Sequence, residues 1–246
     1  MTLKGVLFDL DGTLTDYSSS SEEGLKQAYQ IFHDVYPLVT LDAFFDAYKR
    51  IIAEEYPITS QTGIRNSAFN NRKTRFKHMF RVLSVENDDL LNDMAIAYGK
   101  GRVSGAALHL GVQTVLKKLS GKFRLGIITE GSVETQTAQI NRHGLNKYFS
   151  SVTISGATNF HKPDLELYRI AIEDMGIQAH SIAMVGDRID WDLLPAKKLG
   201  MVTVLFCKDC ITDDVERPMK TVDACFHDFK ELPGLLANLD GENACR

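Results

Sequence analysis

The chain has 246 residues, 44% of them hydrophobic and 24% charged, and a formal net charge of -4 at pH 7. That is enough apolar material for one large domain or for a core with an inserted lobe. The acidic balance argues against nucleic acid as a partner, no apolar run approaches the ~20 residues of a membrane span, and the N-terminus shows no secretory signal, so a cytoplasmic protein is expected.

The first predicted strand, Val6–Phe8, is apolar and runs into Asp9-Leu10-Asp11-Gly12-Thr13-Leu14. From residue 15 to about 103 the apolar residues recur at helical spacing, with little strand character. Ser18 to Ser21 precede this stretch and Gly99, Gly101 and Gly105 follow it, residue types suited to hinges. From 104 onward the pattern alternates. Strands are predicted at Arg124–Thr129, Val152–Ser155, Ile182–Val185, Val202–Phe206 and Asp223–Phe226, with amphipathic segments near 111–119, 133–143, 165–175 and 192–199. Apolar β-branched runs separated by helices indicate an α/β fold, an open parallel sheet covered on both faces. The predicted organisation is a core of residues 1–14 and 104–246 with a helical domain, 15–103, inserted after the first strand.

The insertion segregates charge. No Asp or Glu lies between Tyr56 and Val85, whereas Arg65, Arg72, Lys73, Arg75, Lys77 and Arg81 do. A helix over 65–83 would gather Phe69, Phe76, Phe80 and Leu83 on one face, and Arg65 and Arg72 on that same face. Lys73, Lys77 and Arg81 fall away from it and read as a solvated stripe. Arg72, with Arg65, is a candidate for binding an anionic part of a substrate, because arginine makes bidentate contacts with carboxylate or phosphate; the bland alternative is a snorkelling side chain. The four cysteines lie late in the chain. Cys207-Lys208-Asp209-Cys210 has metal-site spacing, but no second such pair exists, so reduced cysteines are expected.

Three acidic residues carry the chemistry. Asp9 and Asp11 end the first strand, and Asp187 ends another in Val185-Gly186-Asp187. Unpaired carboxylates at the tip of a buried strand are expensive. Delivered from separate strands, they can share Mg2+, a hard cation that prefers oxygen ligands. In an open parallel sheet, ligands gather at the carboxyl ends of the strands, where Asp9, Asp11, Thr129 and Asp187 all fall.

Four motifs, in order, resemble those of the haloacid dehalogenase-like hydrolases. They are Asp9-Leu10-Asp11-Gly12-Thr13-Leu14-Thr15, Thr129 in Gly126-Ile127-Ile128-Thr129-Glu130-Gly131, Lys162 in His161-Lys162-Pro163-Asp164, and Gly186-Asp187-Arg188-Ile189-Asp190-Trp191-Asp192. The resemblance implies a Rossmann-like core with an inserted α-helical cap, and a Mg2+-dependent phosphatase acting on a small phosphorylated metabolite through an aspartyl-phosphate. By resemblance, Asp9 is the nucleophile and Asp11 the acid and base. The metal falls to the Asp9 carboxylate, the Asp11 backbone carbonyl and the Asp187 carboxylate. Asp192 stands behind the metal, holding a metal-bound water or Lys162. Thr129, with Glu130 and Gly131 through their backbone NH groups, and Lys162 bind the phosphoryl group.

The rivals are a phosphomutase of the same fold, a 2-haloacid dehalogenase and a non-catalytic binding protein. Asp11 disfavours the dehalogenase, because a halide leaving group needs no proton. A monomer or homodimer is expected. Three residues depart from the family's habit: Glu130 where Asn is common, Arg188 where a small residue is common, and Trp191 where Asn is common. The Glu130 carboxylate must therefore point away from a phosphate or read the substrate. Asp190 suits a helix N-cap.

Overall fold

The computed structural model describes residues 2–62, 68–208 and 221–242, with side chains left undescribed at 55–62, 68–71 and 242. Arg65 and Cys210 thus lie outside the described residues. The chain forms two compact units: Met1–Asp16, Leu108–Glu130 and Ile140–Arg246 make one, and Tyr17–Ala107 with Gly131–Gln139 the other. The sequence had assigned residues 131–139 to the core.

The first unit is built on a six-stranded, all-parallel sheet. Its strands are β1 (Gly5–Phe8), β2 (Arg124–Thr129), β3 (Ser151–Ile154), β4 (Ile182–Gly186), β5 (Val202–Phe206) and β6 (Ala224–Phe226), in the order β3-β2-β1-β4-β5-β6. Alternation along β1 decides which face each side chain fills. Val6 and Phe8 point into a core with Ile127, Val185, Val204 and Phe226, closed by α5 (Val112–Leu119) and α9 (Leu232–Glu242). Leu7 points the other way and meets Ile128, Met184 and Leu205 beneath α7 (Leu165–Met175) and α8 (Leu194–Lys198). Both faces are apolar, which is why the strands read as near-continuous hydrophobic runs.

Helix α7 has clear boundaries: the Asp164 side chain accepts from Glu166 N at its start, and Gly176 closes it at φ 59°. The segment after β4 departs from expectation. Instead of a regular helix from 192, a π turn covers Ile189–Leu193 and α8 follows. Asp190 is not a cap; Arg188 occupies that position, and the two pair at 3.1 Å.

The second unit contains α1 (Tyr17–His33), α2 (Leu41–Thr62), α3 (Ala68–Val82) and α4 (Leu90–Gly105), with the N-terminal part of α6 (Val133–Arg142). Helices α1 and α4 run very close together. A Cβ on Gly101 would meet Glu23 O at 2.5 Å, and one on Gly24 would meet Tyr98 at 3.0 Å. The glycines read as hinges are, at Gly101 and Gly105, packing surfaces. The interior is aromatic: Phe32, Phe44, Tyr48, Phe76, Phe80 and Tyr98 are all buried.

Cys225 is a free cysteine, and Cys210 and Cys245 lie outside the described residues. No helix among the described residues is long and apolar enough to cross a membrane.

Candidate active site

Asp9 follows β1, Thr129 ends β2 and Asp187 follows β4, so three adjacent strands deliver three of the predicted residues to one edge of the sheet. One carboxylate oxygen each from Asp9, Asp187 and Asp192 lie within 4.8 Å of one another. Lys162 reaches into this group from the loop before α7. Its Nζ donates to Asp9 Oδ1 at 2.6 Å and to Asp192 Oδ1 at 2.7 Å, and all three side chains are buried.

Burial makes this cluster electrostatically demanding. It pushes the Asp9 carboxyl well above the usual range; the Lys162 ammonium opposes that push, and Asp192 and Asp187 reinforce it. Burial also raises Asp187, with help from Asp192, to about 6. Lys162 would be lowered by its own burial, yet Asp192 and Asp9 lift it well above its ordinary value, so it remains a cation. One lysine therefore stands against three carboxylates, and the site carries excess negative charge that a divalent cation would offset.

Two oxygens are left over. Asp9 Oδ2 and Thr129 Oγ1 are buried and make no hydrogen bond. Orphaned buried oxygens are rare in folded proteins. An anionic acceptor and a hydroxyl of this kind, beside three converging carboxylates, fit a hard cation and a phosphoryl group. The donor set is all oxygen, as Mg2+ requires.

The first motif also shapes Asp187. Gly12 sits at φ 101°, and a Cβ there would lie 2.5 Å from Asp187 Oδ2. Thr13 Oγ1 donates to Asp187 Oδ1 at 3.1 Å. Gly12→Ala is expected to cost about 1–3 kcal/mol in backbone strain and to weaken Mg2+ binding, because Asp187 must move. Melting and Mg2+ titration check this; a variant with unchanged values for both contradicts it. Gly186 plays a similar part, since a Cβ there would stand 2.5 Å from Asp192 Cβ.

Asp11 is half-buried; its Oδ1 accepts from Thr15 Oγ1 at 3.5 Å, and it bridges to Thr15. Asp192 contacts Lys162, and one of its oxygens also stands level with Asp9 and Asp187, closer to the cluster than a position behind the metal suggests. The Glu130 carboxylate tethers the Lys162 loop: Oε1 lies 2.9 Å from His161 Nδ1, and Oε2 accepts from Lys162 N at 3.1 Å. Gly131 belongs to the other unit. Arg188 lies over the Trp191 ring, 4.1 Å from its centroid, and Arg188 N donates to Asp192 Oδ2 at 3.0 Å. These two departures from the family's habit therefore flank and orient Asp192.

Sequence reasoning missed Thr13, Gly12 and Gly186 as positioning residues. The available signal was that Asp11 and Asp187 each have a glycine beside them, where a neighbouring carboxylate needs room.

The raised acids set a pH dependence. A carboxyl whose folded pKa lies above its unfolded value contributes stability that is present at low pH and lost as pH rises through the folded value. For Asp187 that window closes near 6. The metal-free protein is thus expected to lose melting temperature between pH 4 and 7, and Mg2+ to restore it. The Mg2+ dissociation constant should rise roughly tenfold for each pH unit below about 6, because a proton must leave first. A dissociation constant flat from pH 5 to 8 contradicts this.

Strand-end carboxylates around a buried lysine, on an open parallel sheet, define a class of phosphoryl- or acyl-handling hydrolase cores. The chain belongs to the haloacid dehalogenase-like hydrolase family, whose model matches residues 3–200. It is 27% identical to the glyceraldehyde 3-phosphate phosphatase of Methanocaldococcus jannaschii, over 96% of this chain and 98% of that one. It is 24% identical to the N-acylneuraminate-9-phosphatase of Homo sapiens, over 97% of this chain and 95% of that one. Among solved structures, the magnesium-bound YfnB of Bacillus subtilis superposes with a TM-score of 0.77, at 20% identity, over 96% of this chain and 99% of that one. At that identity the likeness speaks for the fold alone.

Proposed function

We propose that this protein is a Mg2+-dependent phosphomonoesterase acting on a small phosphorylated metabolite through an aspartyl-phosphate at Asp9. The observation that carries the reading is the pairing of Asp9: Oδ1 is held by Lys162 at 2.6 Å, while the buried Oδ2 has no partner. One oxygen is fixed and the other is left for a phosphorus atom.

In this reading Asp9 Oδ2 attacks phosphorus and the ester P–O bond breaks. Asp11 gives its proton to the leaving oxygen, the acid role that an alkoxide requires. Asp11 then takes a proton from water, whose oxygen attacks phosphorus; inorganic phosphate leaves and the Asp9 carboxylate is restored. Lys162 keeps Asp9 ionised during attack and offsets charge on the transferring group. The Thr129 hydroxyl, with the backbone NH groups of Glu130 and Gly131, binds phosphoryl oxygens. Asp9, Asp187, the Asp11 carbonyl and a water held by Asp192 would hold Mg2+. When bound, the ion supplies positive charge that lets an anionic ester approach a carboxylate. The helical unit serves as the cap.

The two relatives are named for a short phosphorylated aldehyde and a phosphorylated sugar acid. Both names favour a small phosphorylated metabolite here. The reading places the protein in the cytoplasm as monomer or homodimer. Phosphate release across a panel of phosphometabolites, with and without Mg2+, tests the reading. Mg2+-dependent release is expected. Interconversion of sugar phosphates without release would instead identify a phosphomutase.

A further inference from the structure

Helix α7 carries a hydroxyl into an apolar layer. Tyr168 is fully buried, in the cluster that holds Leu7, Met184, Leu193 and Ala196. A phenylalanine ring would fill the same space, whereas a buried phenol needs a hydrogen-bond partner. That partner is backbone: Tyr168 Oη donates to Trp191 O. Burial pushes the phenol well above its ordinary value; Lys162 opposes that push, and Asp192, Asp9 and Glu130 reinforce it. The hydroxyl therefore stays protonated and remains a donor, and the charges that bear on it are those of the candidate active site.

Trp191 O lacks its α-helical donor. In an α-helix it would accept from the N–H four residues on, but that residue is Pro195, at the start of α8, and proline has no N–H. Trp191 lies in the π turn Ile189–Leu193, and its carbonyl belongs to the peptide bond that joins it to Asp192. Asp192 N donates to Arg188 O at 2.8 Å, Asp192 Oδ2 accepts from Arg188 N at 3.0 Å, and Asp192 Oδ1 accepts from Lys162 Nζ at 2.7 Å. Lys162 leads into α7, and Tyr168 stands one turn inside that helix. The contacts close a ring: Lys162 to α7, Tyr168 to Trp191, Trp191 to Asp192, and Asp192 back to Lys162. Loss of the hydroxyl opens the ring where it joins the turn.

We propose that Tyr168 is a positioning residue for the reaction. Its hydroxyl, bonded to Trp191 O, holds the π turn in the form that keeps Asp192 on Lys162, and so fixes Lys162 Nζ at 2.6 Å from Asp9 Oδ1. The reaction it serves rests on the phosphatase reading above. Tyr168 acts through Asp192 and Lys162, not on the substrate.

The test compares the full-length chain with Tyr168→Phe, which keeps the ring and removes only the hydroxyl. Turnover of p-nitrophenyl phosphate is measured at saturating Mg2+. In the metal-free chain, hydrogen exchange is followed at the Asp192 and Leu193 amides, which donate to Arg188 O at 2.8 and 3.3 Å, relative to the amides of β4. The expected result is a fall in kcat of about tenfold, the size of one buried hydrogen bond, with KM altered less than about twofold. Exchange at the two turn amides should quicken roughly tenfold against β4. A lower melting temperature with kcat and the exchange ratio both unaltered overturns the proposal, because the hydroxyl then serves stability alone. Faster exchange with kcat unaltered, or a fall in kcat with exchange unaltered, also overturns it, since the hydroxyl must act through the turn. A parent chain that releases no phosphate would instead sink the phosphatase reading, and the exchange ratio would still decide whether Tyr168 holds the turn.

Discussion

Asp9→Asn is expected to abolish phosphate release, a loss of roughly 10^4-fold or more for the residue proposed to form the covalent bond. Asparagine is nearly isosteric, and its carbonyl oxygen can still accept from Lys162 Nζ, now 2.6 Å from Asp9 Oδ1. It cannot attack phosphorus with useful rate, and it contributes no negative charge to a cation. Stability should move little or rise. Burial already pushes the Asp9 carboxyl well up, so removing its charge relieves an unfavourable state. The expected pair of results is therefore a dead enzyme with an unchanged or higher melting temperature. Turnover above about one per cent of the parent would refute the nucleophile assignment.

Lys162→Met is expected to damage the fold as well as the chemistry. Lys162 is the cation between Asp9 and Asp192, and its side chain is 2% exposed. Removing it leaves Asp9, Asp187 and Asp192 facing one another without a counter-ion. Breaking a buried ion pair from one side costs about 3–5 kcal/mol, which in a chain of this size lowers the melting temperature by roughly 10 °C. The loss should shrink at pH 5, because protons then replace the ammonium, and should shrink with Mg2+ at pH 7 for the same electrostatic reason. A melting temperature equal to that of the parent at pH 7, without metal, would contradict this account.

Much of the architecture was legible because burial on both faces leaves a strong mark on a strand. Arg124–Thr129 and Val202–Phe206 are observed at the predicted bounds. Val152–Ser155 is shifted by one residue and Ile182–Val185 extended by one. The helical insertion was visible through its 3.6-residue periodicity. What was not legible depends on contacts between distant residues. The π turn at Ile189–Leu193 accompanies Asp192 folding back onto Arg188 N and Lys162, which no local pattern encodes. Glu130 looked unhelpful beside a phosphate site because its partners, His161 and Lys162 N, lie 31 and 32 residues on. Asp190 looked like a cap because its residue type suits one, but the Arg188 side chain claims it. Arg72 was separable from the solvated basic stripe by helix face alone, and it is buried.

The most direct measurement is to quench turnover of a radiolabelled phosphate ester with acid and locate the label on the chain. The account predicts a hydroxylamine-labile phosphoryl group on the peptide containing Asp9, formed only when Mg2+ is present. Mg2+-dependent phosphate release with no label on that peptide, or with the label on another residue, would contradict it.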